Sequence, residues 1–369
     1  MGEEAYFIVN AKTFVEVLTT LSSIIHPKEG ELVKKQVLVE VSDNKVTLKT
    51  INESTLLVAK IDAQNTANGK FCVTASYLIN LLSRFNGDVT VFEEENKLHI
   101  KSGRSKYQTS LFPIDEFEEL CAVDEIELQT DRIKVDLEPF RSALECVYSS
   151  ASKEDLTLSS TYVAHNHDTD KDCIVCSNSE LGAAVIKDSI VSFPQGPIPK
   201  FIVDFILKLK DLRVLEFVVN DGLFMGTAGC YTFYYRSPDI DYPWDEINGF
   251  LEAYPTLTKR FRFFKNDMIA ALARITVIAD NATHAVTLKF TGDLVVIESE
   301  GPGHKGSETI SLIESANDGE AYEISMDSVY LMNVLKEFEG NVDYYCSDSE
   351  APQFVTDGFL VKFFMGLAD

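Results

Sequence analysis

Long apolar runs are missing from this 369-residue chain. Nothing approaches the roughly 18–20 consecutive apolar residues that a membrane-spanning helix needs. The N-terminus, MGEEAYFIVN, lacks the basic-then-apolar order of a secretory signal, so a cytoplasmic protein is expected. Cysteine is sparse and odd in number: seven residues, mostly single within apolar segments such as Phe71-Cys72-Val73. That excludes a disulfide framework and reads as reduced core cysteine. Positive charge is short as well, with 33 Lys and Arg against 58 Asp and Glu and a net charge of −25. A surface that is basic all over is therefore excluded, although nucleic-acid binding is not, because placement of charge decides it.

Catalytic signatures are also lacking. There is no Gly-x-Ser-x-Gly elbow and no His-Glu-x-x-His helix. The loop Gly301-Pro302-Gly303-His304-Lys305-Gly306 has no Gly-Lys-Ser/Thr ending and falls between strands, so it reads as a turn. The strongest metal candidate is HNHDTDKDCIVC, where His165-x-His167 precedes Cys173-x-x-Cys176. Its polar centre, Asp168–Asp172, lies between two apolar strands, and a three-residue step along a strand sets the two thiols on opposite faces. The segment reads as a hairpin. No metal, no cofactor and no catalytic residue is expected.

What the chain does have is an internal repeat. YLINLLSRFNG at Tyr77–Gly87 and YLMNVLKEFEG at Tyr330–Gly340 agree at six of eleven positions, 253 residues apart. A fainter copy, FIVDFILKLKD, starts at Phe201, between the two. Leu78, Leu81, Leu82 and Phe85 mark one stripe of an amphipathic helix, and Gly87 is read as its stop. A second family of segments opens each third of the chain with a strand, a polar residue and a helix. FIVNAKTFVEVLTTLSSII starts at Phe7, IKVDLEPFRSALECVYSSAS at Ile133 and FRFFKNDMIAALARITVIAD at Phe261. The expected buried stripes are Phe14, Leu18 and Leu21; Phe140, Leu144 and Val147; and Met268, Leu272 and Ile275.

Between these helices the apolar period changes from 3.6 to 2, and turn residues such as Ser42-Asp43-Asn44, Asn220-Asp221-Gly222 and Thr291-Gly292-Asp293 separate the strands. The pattern predicts six copies of strand–helix–antiparallel strands, grouped into three modules at 1–127, 128–253 and 254–369. Short hairpins exclude the long crossovers of a parallel sheet, so the class is α+β. The acidic stretch Glu116–Thr130 and the stretch Asn248–Lys259 read as linkers.

Three such modules resemble the bacterial DNA polymerase III β subunit, the sliding clamp. The resemblance rests on the order and spacing of GRSKYQTSLFPIDEFEEL (Gly103–Leu120), YRSPDIDYPWDEI (Tyr235–Ile247), FKNDMIAALARITVIAD (Phe264–Asp280) and the terminal FLVKFFMGLAD. It implies a head-to-tail homodimeric ring around double-stranded DNA, with helices lining the hole. Such a ring is non-catalytic: a clamp loader sets it on DNA without sequence preference, and it tethers a polymerase and other proteins that carry a clamp-binding motif. The predicted helices are the one element that is not acidic, with an excess of three positive charges. Of their cations, Arg84 and Arg141 are candidate DNA contacts. The resemblance adds Lys28, Lys153, Lys200 and Lys208. It also implies an apolar partner-peptide pocket at Leu158, Ser177, Leu181, Pro243, Val361, Phe363, Phe364, Met365 and Leu367. The family's Thr-Asp-Gly-His-Arg-Leu run appears here as Ser177-Asn178-Ser179-Glu180-Leu181, which points to a different peptide preference. Two other readings stand beside this one: an acidic scaffold or DNA mimic that never encircles DNA, and a metal-dependent hydrolase built on His165–Cys176.

Overall fold

A computed structural model describes residues 6–367 apart from 26–29, 53–54, 122–131, 156, 167–170, 179, 189–192, 221–222, 237–239, 302, 318 and 320. Among the described residues there are eight α-helices: α1 (Ala11–Leu21), α2 (Ala75–Leu82), α3 (Asp115–Leu120), α4 (Leu137–Tyr148), α5 (Lys200–Lys208), α6 (Trp244–Ala253), α7 (Lys265–Ile275) and α8 (Ser328–Lys336). Six of them, α1, α2, α4, α5, α7 and α8, fall in the repeat segments that the sequence marks as helical. Local chemistry explains why. Asn10 Oδ1 accepts from the backbone N–H groups of Lys12 and Thr13 at the start of α1. Asp136 accepts from Glu138 N at α4, and Asp327 from Val329 N and Tyr330 N at α8. Each cap satisfies donors that the first turn leaves without an intrahelical partner. The predicted apolar stripes of α1, α4 and α7 are all buried.

The chain divides into two compact units. The first holds Met1–Arg141, Val191–Phe193 and Pro199–Asp239; the second holds Ser142–Ile190, Pro194–Ile198 and Ile240–Asp369. In the first unit a five-stranded sheet runs in the order Gln64–Ala67, Tyr6–Asn10, Asp88–Glu94, Lys97–Ser102, Ser105–Ser110. Its eight-stranded sheet runs Ile133–Asp136, Val214–Asn220, Leu223–Ala228, Tyr231–Arg236, Thr55–Asp62, Lys45–Ile51, Gln36–Ser42, Gly69–Thr74. The second unit has a nine-stranded sheet in the order Gly196–Ile198, Thr161–Asn166, Lys171–Ser177, Leu181–Asp188, Leu360–Phe364, Gln353–Thr356, Asn341–Cys346, Lys259–Phe264, Glu314–Ala316. Its four-stranded sheet runs His304–Ser311, Leu294–Gly301, Ala285–Thr291, Tyr322–Asp327. Pairing is antiparallel throughout the four sheets, which bears out the α+β class.

Each helix of the two repeat families is followed by a three-strand meander, and third meander strands from different thirds of the chain pair with one another. Thr55–Asp62 pairs with Tyr231–Arg236. Leu181–Asp188 pairs with Leu360–Phe364. The hairpins use the expected turns: Asp43 and Asn44 both have positive φ (51° and 59°), as do Glu95 and Asn96 (52° and 57°). These are the left-handed pairs that match strand twist.

Three expectations change. First, Gly87 does not stop α2. That helix ends at Leu82 with Ser83 as its C-cap, and Gly87 (φ 90°) instead offers its carbonyl to Ala11 N at 2.9 Å. The same bond recurs from Leu137 N to Arg213 O and from Lys265 N to Gly340 O, at 2.8 and 3.3 Å. The repeat therefore preserves a docking turn for the helix that opens each third of the chain. Second, the stretch Glu116–Thr130 begins within α3, whose Phe117 is fully buried among Val33, Leu38, Ile51, Leu56, Val58 and Cys72; its residues 122–130 lie outside the described residues. Third, Asn248–Lys259 starts inside α6, which seats Ile247 and Leu251 in the second unit's core. One or two apolar anchors are enough to fold an acidic segment onto a sheet face.

Candidate partner-docking surface and DNA-facing residues

The second unit carries an apolar cluster on one face of its nine-stranded sheet. Alternate residues supply it: Tyr162 and Ala164, Cys173 and Val175, Ala184 and Ile186, Val361 and Phe363, with Phe354. This period of two is what an extended strand dictates. The segment from Ile240 to Leu257 lies over that face and adds Tyr242, Trp244, Ile247, Leu251, Tyr254 and Leu257. Tyr162 stacks between Tyr242 and Trp244, with ring centroids 5.1 and 5.0 Å apart. Phe363 lies 6.3 Å from Phe250 and 6.3 Å from Phe354, and its ring crosses over Gly182, its cross-strand neighbour. Such stacked and tilted rings give a stiff apolar floor.

Most of the predicted pocket residues sit at this surface. Leu158 packs against the cluster, and its N–H donates to Asp155 Oδ1 at 2.8 Å. Ser177 is buried with Oγ 3.4 Å from the Tyr242 hydroxyl. Leu181 is half-buried, with its N–H and that of Glu180 donating to Asn178 Oδ1, but it is a correction: it pairs with Phe364 across the strands and so lies on the face opposite the cluster. Pro243 is half-buried at the start of α6. Val361 and Phe363 belong to the cluster, while Met365 (50% exposed) and Leu367 (39%) follow the end of that strand, Leu367 N–H donating to Ser325 O. Phe364 is a correction. It is buried on the opposite face of its strand against Tyr330 (5.7 Å), because consecutive strand residues point to opposite sides. The sequence reading missed Tyr162, Tyr242, Trp244 and Phe250; the aromatic–proline–aromatic run Tyr242-Pro243-Trp244 was the signal for two of them.

The proposed DNA contacts fall into different situations. Lys28 lies outside the described residues. Arg84 and Lys153 are exposed. Lys200 lies 3.7 Å from Asp204 one turn along α5. Arg141 Nη1 donates to Leu209 O at 2.7 Å, holding the C-terminal end of α5, where a cation also favours the helix dipole. Lys208 Nζ donates to Thr19 O at 3.3 Å, and partial burial pushes its pKa down. A carbonyl takes these hydrogen bonds without cancelling the charge, so the cations keep it while losing freedom of movement.

The metal candidate resolves into separate contacts. His165 Nδ1 is 2.6 Å from Asp172 Oδ1, and His167 lies outside the described residues. Cys173 faces the apolar cluster, while Cys176 Sγ is 3.0 Å from Thr161 Oγ1 on the other face. Burial pushes the Cys173 thiol up to about 12, and Cys72, Cys121 and Cys346 likewise to about 12. A thiol at that level is almost wholly protonated at mild alkaline pH and is a poor nucleophile. Iodoacetamide at about pH 8 is therefore expected to label exposed Cys230 first, and all seven cysteines only after unfolding, as peptide mass mapping would read. Rapid labelling of Cys173 in the folded protein would contradict this burial.

Residues 5–121 match the family model described as DNA polymerase III beta subunit, N-terminal domain. No curated protein sequence matches the chain. The fold is that of solved β subunits over the full length. The DNA polymerase III subunit beta from Pseudomonas aeruginosa has a TM-score of 0.80 at 17% identity, covering 99% of this chain and 100% of that one. The sliding clamp from Bartonella birtlesii, solved with griselimycin bound, has a TM-score of 0.84 at 17% identity with the same coverage. That from Borrelia burgdorferi, solved with a natural product, has 0.81 at 16% identity and covers 98% and 99%.

Proposed function

We infer that the chain is a divergent member of the DNA polymerase III β-subunit family and works as a DNA sliding clamp, a non-catalytic processivity factor. Two copies join head to tail around duplex DNA, and the ring tethers a polymerase and other DNA-processing proteins. A loader is needed to set a closed ring on DNA, and the natural compartment is the cytoplasm.

The observation that carries the ring is the pattern of strand edges. Six half-modules each end in a third meander strand. Four of these are used in the two seams within the chain, always joining the first half of one module to the second half of the next. Two are left at sheet ends: Ser105–Ser110 of the first module and His304–Ser311 of the third. They are again a second half and a first half. A second copy turned head to tail continues both sheets by the same rule, which closes the assembly and removes two open edges. Apolar groups exposed beside these edges support the contact: Tyr107, packed on Phe85, and Val277 (82% exposed) just after α7.

Arg84, Lys153, Lys200 and Lys208, with Arg141 in support, are assigned to the DNA-facing side, and Lys28 is proposed with them. Sliding needs weak, sequence-independent phosphate contacts, and a topological link then replaces affinity. The three modules, 1–127, 128–253 and 254–369, are the units of this ring.

The test is retention on nicked circular DNA after loading, followed by linearisation. The protein should stay on the circle and leave once ends are available. Sedimentation should give twice the 41.2 kDa chain mass. Val277→Asp should give the single-chain mass and abolish retention. A protein that stays bound after linearisation, or never loads, is not a ring.

A further inference from the structure

We propose that the apolar surface around Phe363 docks a basic linear peptide, an apolar anchor flanked by Lys or Arg, contributed by the tethered protein. The proposal rests on reading that surface as the partner site.

The seat for the anchor is apolar and partly open: Phe250 (39% exposed), packed on Phe363, beside half-buried Leu158, Pro243 and Trp244. Its rim has one sign. Glu180, Asp241, Asp245, Glu246 and Glu252 are all exposed on the segments that carry the seat. From Ser177 to Gly182, from Ile240 to Thr258 and from Phe363 to Leu367 there is no Lys or Arg. Near Leu158, Lys153 is outnumbered by Glu154 and Asp155. The one cation inside the floor strand, Lys362, is on the opposite face, its side chain 1% exposed and paired with Glu337. Glu252 accepts from Asn248 Nδ2 at 2.8 Å, a bond that leaves its charge in place. A peptide bearing carboxylates therefore meets like charge along the exposed segments that carry the seat, the nearest arginine, Arg260 over Tyr345, being paired with Asp343 and Glu314. One bearing ammonium or guanidinium groups meets exposed carboxylates, which speeds the encounter and discriminates between partners.

Trp244, the only tryptophan of the chain, sits in the surface and reports binding directly. Three short peptides with one Leu-Phe anchor and flanks of Lys/Arg, Gln or Glu are titrated by anisotropy and by Trp244 emission. The expected order of affinity is basic, then neutral, then acidic, with about tenfold between the ends at low salt. The spread should narrow as salt rises past about 0.1 M, where screening acts over roughly 10 Å. Asp245→Asn with Glu246→Gln should narrow it as well while leaving the Gln peptide unchanged. If the Gln or Glu peptide binds as tightly as the basic one or tighter, the charge proposal is overturned and the docking surface stands. If neither anisotropy nor Trp244 emission responds to any of the three, the site reading fails together with it.

Discussion

Replacing Glu337 with Gln lowers the stability of the second unit by about 2–3 kcal/mol at neutral pH, whereas Lys362→Met costs less than about 1 kcal/mol. The asymmetry follows from burial. The Lys362 ammonium is 1% exposed and sits 2.5 Å from Glu337 Oε2, whose side chain is 35% exposed. Removing the carboxylate strands a buried charge, which costs about 3–5 kcal/mol for a fully enclosed pair and less here because water reaches one side. Removing the lysine takes that charge away and leaves Glu337 accepting from Ser149 Oγ at 3.1–3.2 Å.

The pH dependence has a definite sign. Burial holds the Lys362 pKa below its ordinary 10.5, partly opposed by the hydrogen bond and charge of Glu337, with the Cys146 thiol also nearby. Between the depressed folded value and 10.5 the unfolded chain binds more protons, so this group's contribution to stability rises with pH. Loss of Glu337 depresses the folded value further. The deficit of Glu337→Gln is therefore largest at neutral pH and shrinks as pH approaches about 10.5. Urea unfolding followed by Trp244 emission, which reports the second unit, measures both quantities. A deficit independent of pH, or a Lys362→Met variant as damaged as Glu337→Gln, would count against a buried ion pair. Val361 and Phe363, on the other face of the same strand, belong to the surface proposed as the docking site, so the loss should reach peptide binding as well.

The second large effect comes from Gly182→Ala. A Cβ built there would lie 1.8 Å from Phe363 Cζ and 2.2 Å from its Cε2, well inside contact distance. Overpacking of this kind costs about 1–3 kcal/mol. The ring can escape only by turning away from the strand, which disturbs the docking surface, so peptide affinity should fall with the unfolding midpoint. Phe363→Leu in the Gly182→Ala background should restore part of both, giving a coupling of about 1 kcal/mol or more in a double-mutant cycle. Equal midpoints and equal peptide affinity for Gly182→Ala and the parent would sink the argument. The first unit repeats the device, with Phe233 lying across Gly226, its own cross-strand neighbour, 2.2 Å from where a Cβ would stand. Glycine here serves close approach of an aromatic ring, with no turn involved.

Much of this architecture was legible before any coordinates. Periodicity and capping residues are local, so α1 starts at Ala11 after Asn10, as the strand–polar residue–helix pattern expects, and α8 carries the repeat from Tyr330 after its cap Asp327. The two-residue alternation located the hairpins for the same reason. Helix ends were less legible, because the residues after Leu82 could continue a helix by pattern and only the bond from Ala11 to Gly87 shows what the glycine is for. The acidic composition of Glu116–Thr130 hid Phe117, since one buried ring outweighs several solvated carboxylates in placing a short helix. At the docking surface the sequence reading took consecutive residues Phe363, Phe364 and Met365 together, whereas the pleat sends Phe364 to the other face.

By itself, then, the sequence determined the repeat, the α+β class and the apolar stripes, because each depends on residues a few positions apart along the chain. Tertiary structure alone decided which strand edges pair and which two remain at sheet ends. It also decided that Lys362 is buried against Glu337 and that Tyr162 lies between Tyr242 and Trp244. Those outcomes bring together residues 25 to more than 150 positions apart. No local pattern encodes such contacts; they exist only once antiparallel pairing has set the register.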